Sequence, residues 1–290
     1  MALAVQCSRA LWRGALCVAV LLLPWAARWL GVSAARAEIA VDLQLVLAVD
    51  TSGSVSEERF ALQQQGYVAA FRDPRLLQAI TAGTHHAIAV TMVQWTGPAL
   101  QVQVLPWTRV DGEEAMQSVA RAIAATPRQL FGGGTSISGA IDHAVRLIAA
   151  SGFASARRII DVSGDGANNR GRPARAARDD AVRAGIGING LPILALEPDL
   201  QRYYVDNVIG GPGAFVVVAE TYENFAEAVL KKLVTEVADA TGRVAPRDAG
   251  IGRGRCASGE ICARLGQPAA DHVDVLAQVV ELIGKAERDR

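Results

Sequence analysis

Three short segments of the sequence carry oxygen-bearing side chains in patterns that could bind a metal ion. Asp50, Ser52 and Ser54 occupy alternate positions in the first of these segments, a turn that also contains Thr51 and Gly53. One carboxylate and two hydroxyls suit a hard cation such as Mg²⁺ or Mn²⁺, which prefers octahedral oxygen coordination. A serine-rich turn that caps a helix explains the same residues without a metal, so this motif alone favours an ordinary turn.

The second and third segments place further oxygen ligands after glycines. Thr135 ends the run Gly132-Gly133-Gly134-Thr135, and Asp165 lies in Ser163-Gly164-Asp165-Gly166. Glycine lets a loop approach its neighbours closely without steric cost. The two segments therefore change the balance for Asp50, provided that the fold brings all three together.

The elements that must position these residues alternate between apolar runs and helical patterns, as is typical of a mostly parallel sheet covered on both faces. Leu100, Val102 and Val104 alternate with glutamines, which predicts an antiparallel edge strand. We therefore predict an α/β fold: a doubly wound, mostly parallel six-stranded sheet with one antiparallel edge strand and helices on both faces. The predicted strands are Val41–Val49, His86–Trp95, Leu100–Leu105, Arg158–Val162, Ile188–Leu196 and Ala214–Val218. The predicted helices are Glu57–Phe71, Gly112–Ala125, Ile137–Ala150, Ala174–Ala184, Leu200–Asn207 and Tyr222–Val237.

The predicted strand order places the two aspartates side by side. In the doubly wound order 3-2-1-4-5-6, strands one and four are neighbours at the switch point, where ligands bind beyond the carboxyl ends of the strands. Val41–Val49 is strand one and Arg158–Val162 is strand four. Asp50 and Asp165 should therefore leave adjacent strands at that crevice.

The three motifs, in this order and spacing, resemble the metal-ion-dependent adhesion site of von Willebrand factor A (vWA) domains. The resemblance covers about Ile39–Val237, and the wider sequence is also similar to an uncharacterised family of exported bacterial proteins with this domain. It implies that Ser52, Ser54 and Thr135 are hydroxyl ligands of Mg²⁺, with Mn²⁺ or Ca²⁺ as alternatives. Asp50 and Asp165 would coordinate directly or through water.

The same resemblance implies a binding function rather than catalysis. Two aspartates balance the charge of one divalent cation, so an open coordination position would remain electrophilic. A Glu or Asp carboxylate of a protein partner would complete the coordination. The loops Thr96–Ala99, Asn168–Arg172 and Glu197–Leu200 should form the rim, with Asn168 and Asn169 as candidate partner contacts, although asparagines of this kind are commoner in ordinary surface turns.

A phosphatase is the alternative from another functional class. The segments around Asp50 and Asp165 also resemble the first and last motifs of haloacid-dehalogenase phosphatases, in which Asp50 would be the nucleophile. That family has a second aspartate where Ser52 stands and a lysine between the motifs. The lysines of this chain are Lys231, Lys232 and Lys285, all downstream of Asp165. The adhesion-type site is therefore favoured, and we do not expect an enzyme.

The amino-terminal segment predicts export. Residues 1–37 contain four arginines and no acidic residue. Arg9 and Arg13 precede an apolar run, Ala15–Leu23, and small residues surround Arg36, which is the pattern of a secretory signal peptide with its cleavage point. Pro24 and Arg28 shorten the apolar run below the length of a membrane-spanning helix. We expect a periplasmic or secreted protein with no membrane span after cleavage. The remaining chain has a net charge of −4, which argues against nucleic-acid binding.

The expected domain organisation has four parts. Residues 1–37 form the signal peptide and 38–239 the vWA-like metal-binding domain. Residues 240–270 form a Gly/Arg/Pro linker, in which Cys256 and Cys262 either pair or remain free. Residues 271–290 carry a short amphipathic C-terminal helix. Within the domain, Asp161 has two interpretations: it supports the metal site by hydrogen bonding, or it is a buried acid paired elsewhere.

Overall fold

Five strands form the main sheet within residues 38–240, the part of the chain that this computed structural model describes. The sheet order is β4-β3-β2-β6-β7, and every neighbouring pair is parallel except β3 and β4. Two further short strands, β1 and β5, pair with each other in parallel. The strands are β1 (Ile39–Ala40), β2 (Leu43–Asp50), β3 (Ile88–Trp95), β4 (Gln101–Val110), β5 (Phe153–Ala154), β6 (Arg157–Gly164) and β7 (Gly187–Pro192).

Helices cover both faces of this sheet. They are α1 (Glu57–Ala70), α2 (Pro74–Thr81), α3 (Glu113–Ala125), α4 (Ile137–Ala149), α5 (Ala174–Arg183), α6 (Leu200–Asn207) and α7 (Phe225–Ala240). Helix α1 begins where the Ser56 side chain accepts a hydrogen bond from the Arg59 backbone N–H, with Glu57 in the first turn. A capping side chain and an early acidic residue stabilise a helix start.

The central strand β2 decides which helices lie on which face. All eight of its residues are buried, as a parallel strand covered on both sides requires. Its odd-numbered residues, from Leu43 to Val49, pack in one core with α1, α2, α3 and α7. Val46 and Ala48 point the other way, into a second core with α4, α5 and α6. Because side chains alternate along a strand, one sequence run supplies both layers.

The predicted fold class and strand order are confirmed, with two differences in detail. Helix α2 was not predicted, although Asp73 caps it and Pro74 stands at its first position, which is a standard helix start. The predicted sixth strand runs beside β7 only through isolated parallel bridges, Gly190 to Val216 and Ile193 to Ala219. Contacts at single points do not make a continuous ladder, so this edge of the sheet is irregular.

Several predictions concern segments outside the described residues. These are the signal peptide at 1–37, the linker with Cys256 and Cys262, and the C-terminal helix at 271–290. Helix α7 continues to Ala240, one residue beyond the predicted end of the domain. Within residues 38–240, no helix is long and apolar enough to cross a membrane.

Candidate metal site

The turn after β2 fixes the first carboxylate of the site. Asp50 is the last residue of β2 and is fully buried. The Ser52 backbone N–H donates a hydrogen bond to Asp50 Oδ1 at 2.7 Å, which sets the orientation of the carboxylate. The Arg128 guanidinium donates to the carbonyl oxygens of Thr51 and Ser52, at 2.9 and 3.0 Å. The turn is therefore held from both its own backbone and a neighbouring loop.

Ser54 connects this turn to the second aspartate. Its hydroxyl donates to Asp165 Oδ1 at 2.6 Å, across 111 residues of sequence. The hydroxyl oxygens of Ser52 and Ser54 lie 3.3 Å apart. Asp165 follows β6, which pairs directly with β2. The structure thus brings together four of the five predicted ligands where two adjacent strands end.

The glycine run delivers Thr135 to the same place. Gly132, Gly133 and Gly134 have φ angles of 72°, 85° and 77°, a left-handed conformation that glycine adopts without strain. The Thr135 backbone N–H then donates to Asn169 Oδ1 at 2.9 Å, which fixes the end of the run. A Cβ atom added at Gly166, beside Asp165, would lie 3.7 Å from Thr135 Oγ1. Thr135 is therefore the neighbour of the Asp165 turn.

Two residues at this site were not predicted from the sequence. The Tyr222 hydroxyl donates to Asp165 Oδ2 at 2.8 Å. Arg59 Nη1 lies 3.7 Å from the same oxygen, and the guanidinium carbon lies 5.2 Å from the centre of the Tyr222 ring. Both oxygens of Asp165 thus have partners within the protein. No local pattern points to this arrangement, because Tyr222 and Arg59 come from separate elements.

Asp50 has a different electrostatic environment. Its Oδ2 atom is buried and has no hydrogen-bond partner in residues 38–240. The pKa of Asp50 is raised from 3.8 to about 7: burial is the largest cause and the negative charge of Asp165 acts in the same direction, while hydrogen bonds from Ser52 and from the Asp165 backbone oppose the shift. A Cβ atom at Gly164 would lie 2.8 Å from Asp50 Oδ2, so a side chain there would crowd this oxygen. The position is one at which a positive charge would be strongly favourable.

The donor set fits a hard divalent cation. Two carboxylates and three hydroxyls supply only oxygen ligands, which Mg²⁺ prefers, whereas zinc sites are mostly built from nitrogen and sulfur ligands. Among the described residues, no group of three or more His, Cys, Asp or Glu side chains could hold a metal ion. A site here would therefore depend on the hydroxyls of Ser52, Ser54 and Thr135.

Comparison with known proteins places this chain in a family. The family model described as "Protein of unknown function (DUF1194)" matches residues 40–241. The chain belongs to this family. No curated protein matches the chain. The fold of the chain is vWA-like, in agreement with the strand order and with the ends of β2 and β6 that carry the motifs.

Solved structures share the fold at low sequence identity. Proximal thread matrix protein 1 from the mussel byssus is 15% identical, with a TM-score of 0.50 over 69% of this chain and 49% of that chain. The pilus adhesin SpaC from Lactobacillus rhamnosus GG, in its open conformation, is also 15% identical, with a TM-score of 0.50 over 69% of this chain and 30% of that chain. A von Willebrand factor type A structure from Catenulispora acidiphila is 18% identical, with a TM-score of 0.49 over 70% and 43% of the two chains. The matched region spans about half of the mussel protein and under a third of the adhesin.

In this vWA-like domain, the two asparagines proposed as partner contacts are engaged within the chain. Asn169 Oδ1 accepts from the Thr135 backbone N–H, and Asn168 Oδ1 accepts from the Ser138 backbone N–H at 3.0 Å. The Glu197 carboxylate accepts from the Ala167 backbone N–H at 3.2 Å, which joins the predicted rim loop Glu197–Leu200 to the residue just before the loop Asn168–Arg172. These polar side chains therefore hold the rim in shape.

The structure supports the second interpretation of Asp161, a buried acid paired away from the metal site. Its side chain lies on the α7 face of β6, and Lys232 Nζ is 2.5 Å from Asp161 Oδ1. Lys232 also forms an ion pair with Glu236, and Asn189 Nδ2 donates to Glu236 Oε1 at 2.9 Å. Asp161 is thus a buried acid paired with α7. Lys232 cannot serve as the lysine that a phosphatase would use, because its ammonium group is paired with Asp161 and Glu236.

Proposed function

We propose that this protein binds a divalent cation, Mg²⁺ by preference, at an adhesion-type site and uses it to bind a carboxylate of a protein partner. The observation that carries the proposal is the contact of Ser54 Oγ with Asp165 Oδ1, next to the buried and unpartnered Asp50 Oδ2. It joins the ends of two adjacent strands and leaves one carboxylate without a counter-charge. A cation at this position would neutralise both aspartates and would be coordinated by the hydroxyl oxygens of Ser52, Ser54 and Thr135.

The partner chemistry follows from charge. Two aspartates and one divalent cation sum to zero, and the nearby Glu197 carboxylate is engaged by the Ala167 backbone N–H, so coordination positions would remain open to a partner. An electrophilic cation with an open position would attract an anionic oxygen, and a Glu or Asp side chain of a partner supplies one. The mussel thread protein and the pilus adhesin with the same fold make a structural or adhesive role a reasonable expectation for this chain.

The proposed role is non-catalytic. In the phosphatase alternative, Asp50 would attack a phosphoryl group, but its Oδ1 atom is held by the Ser52 backbone N–H. Ser52 also stands where that family has its acid/base aspartate. The geometry therefore supports binding better than nucleophilic attack.

We further propose export to the periplasm or the extracellular medium, with removal of residues 1–37. The support is the basic and apolar composition of this segment, with its small residues around Arg36. A location outside the cytoplasm agrees with a site that would bind a protein partner through a divalent cation.

A calorimetric titration tests the metal site. Mg²⁺ and Mn²⁺ are added to residues 38–290, with the Asp165→Ala variant beside the wild type. We expect saturable binding to the wild type and a loss of at least about tenfold in affinity for the variant, because one of the two charged ligands is gone. Asp111→Ala is the control, because it removes an exposed carboxylate that is not a proposed metal ligand. Asp161→Ala would be unsuitable, because it would disrupt the core. Equal metal affinities of the wild type and Asp165→Ala would refute the assignment.

A further inference from the structure

Within the described part of the chain, residues 38–240, Arg59 is the one side chain that forms an ion pair with Asp165. Its Nη1 atom donates to the Ser54 carbonyl oxygen at 2.8 Å and lies 3.7 Å from Asp165 Oδ2. The guanidinium also lies over the ring of Tyr222, whose hydroxyl binds that same oxygen. These contacts hold the guanidinium at the edge of the candidate metal site.

The outward part of this guanidinium is available to a ligand. The Arg59 side chain is 31% exposed, whereas Asp165 beside it is 0% exposed. Within residues 38–240, its hydrogen bond to Ser54 is made by Nη1, and no hydrogen bond is made by Nε or Nη2. The N–H groups of a guanidinium form charge-assisted hydrogen bonds with carboxylate oxygens, so the Nε and Nη2 atoms of Arg59 can donate to an oxygen of an anion.

A second arginine near the same turn does not share this property. Arg128 is 8% exposed, and its Nε and Nη2 atoms donate to the carbonyl oxygens of Leu130, Thr51 and Ser52. Its Nη1 atom lies 3.8 Å from Glu57. Arg128 therefore supports the backbone of the turn, whereas the Nε and Nη2 atoms of Arg59 make no hydrogen bond within the described residues.

The charge balance gives Arg59 a function at the proposed site. One divalent cation would neutralise Asp50 and Asp165, and the Arg59 guanidinium, whose charge also acts on the exposed Glu223, would then place a positive charge next to the open coordination position. We propose that Arg59 is a specificity-determining residue: it binds the partner's carboxylate together with the metal ion, one oxygen to each. This inference rests on the proposed function and adds to it the reason for selecting a planar anion with two oxygens.

The proposal predicts opposite effects on two affinities. Removal of the arginine charge leaves the metal ligands in place and takes away a like charge near the cation, so Mg²⁺ affinity should stay equal or rise by roughly threefold. Affinity for a carboxylate should fall by about tenfold, because a charge-assisted hydrogen bond is lost. A residue that only supports the turn would change both affinities in the same downward direction.

The experiment uses residues 38–290 and two calorimetric titrations, first with Mg²⁺ alone and then, at saturating Mg²⁺, with a short peptide containing one central glutamate. The same peptide with glutamine in place of glutamate is the ligand control. Arg59→Gln should bind Mg²⁺ at least as well as the wild type and bind the glutamate peptide about tenfold more weakly. Arg59→Lys, which keeps the charge but loses the guanidinium, should lie between them.

Arg121→Gln is the matched protein control. Arg121 is an exposed arginine of α3 that belongs to neither the proposed ligands nor the rim loops, so its replacement removes one positive charge away from the site. We expect peptide affinity within about twofold of the wild type. Equal peptide affinity of Arg59→Gln and wild type, with Mg²⁺ bound by both, would overturn the role of Arg59 alone. Loss of Mg²⁺ affinity in Arg59→Gln would assign Arg59 to the turn, and no Mg²⁺ binding by the wild type would overturn the proposed function itself.

Discussion

Replacement of Lys232 by methionine should destabilise the folded domain by about 3–5 kcal/mol at pH 8, the usual cost of removing one partner from a buried ion pair. The structure gives the reason. Lys232 Nζ lies 2.5 Å from Asp161 Oδ1 and also contacts Glu236, and all three side chains are fully buried. Without the ammonium, two carboxylates would share a site in which Asn189 is the only remaining donor that reaches one of them among the described residues.

The cost should depend on pH in a defined direction. The pKa of Asp161 is raised from 3.8 to about 7 overall, because burial and the negative charge of Glu236 raise it more than Lys232 lowers it. Because the pKa is higher in the folded state, the stability that this carboxyl contributes is fully present below about pH 4 and is lost as the pH rises to about 7. In Lys232→Met the ammonium that balances the two carboxylates is gone, so a carboxyl must bind a proton to remove the uncompensated charge. The variant should therefore be less impaired at pH 5 than at pH 8.

Urea unfolding of residues 38–290 at pH 5 and pH 8 measures both effects. Lys231→Met is the matched control, because Lys231 is the exposed neighbour on the same helix and undergoes the same substitution. We expect the control to change the free energy of unfolding by less than about 0.5 kcal/mol. A difference between the two variants below about 1 kcal/mol at pH 8, or an equal loss at both pH values, would refute the reasoning. Asp161→Asn added to Lys232→Met should recover part of the stability.

Two further predictions concern the site itself. Mg²⁺ affinity should rise by up to about tenfold per pH unit between pH 5.5 and 7 and level off above, because the Asp50 carboxyl, with its pKa raised to about 7 mainly by burial, must lose its proton to bind a cation; titrations at four pH values with a constant affinity would contradict this. Gly133→Ala should lower the free energy of unfolding by about 1–3 kcal/mol, since the residue has φ 85° and a Cβ atom would lie 2.8 Å from Leu100 Cδ1 and 3.0 Å from Thr96 Oγ1. Gly132→Ala, with φ 72° and open space around its Cβ position, should cost about 1 kcal/mol in the same thermal or urea assay, and equal losses for the two would argue against the close approach.

The position of the candidate site could be predicted from the sequence because it depends on topology more than on side-chain packing. Asp50 ends a strand whose apolar run is unambiguous, and Asp165 follows β6, a parallel strand of the same length. Right-handed crossovers make those two strands neighbours in a doubly wound sheet. The contact of Ser54 with Asp165 follows from this order, although its atoms are 111 residues apart in sequence.

The remaining features depend on contacts that have no local pattern. Tyr222 reaches Asp165 because the chain before α7 returns to the switch point, and nothing in the sequence around Tyr222 indicates this. The partner of Asp161 was equally hidden, since Lys232 reads as one of two lysines in an amphipathic helix. Helix α2 carried a local signal in Asp73 and Pro74, but its eight residues are too few for a clear periodicity.

Asp50 and Asp161 together explain why a cation from solution is the partner that the candidate site favours. Both are fully buried carboxylates on adjacent strands, and the pKa of each is raised to about 7, with burial as the largest cause. Asp161 has a counter-charge inside the core, the ammonium of Lys232. Asp50 forms no ion pair within residues 38–240, and its nearest charged influence is another carboxylate, Asp165. An unpaired buried charge is costly, so the fold loses stability at the end of β2 that a bound divalent cation would restore. The same substitution at the two positions should therefore act differently: Asp161→Asn changes the core, whereas Asp50→Asn removes the reason for the cation to bind.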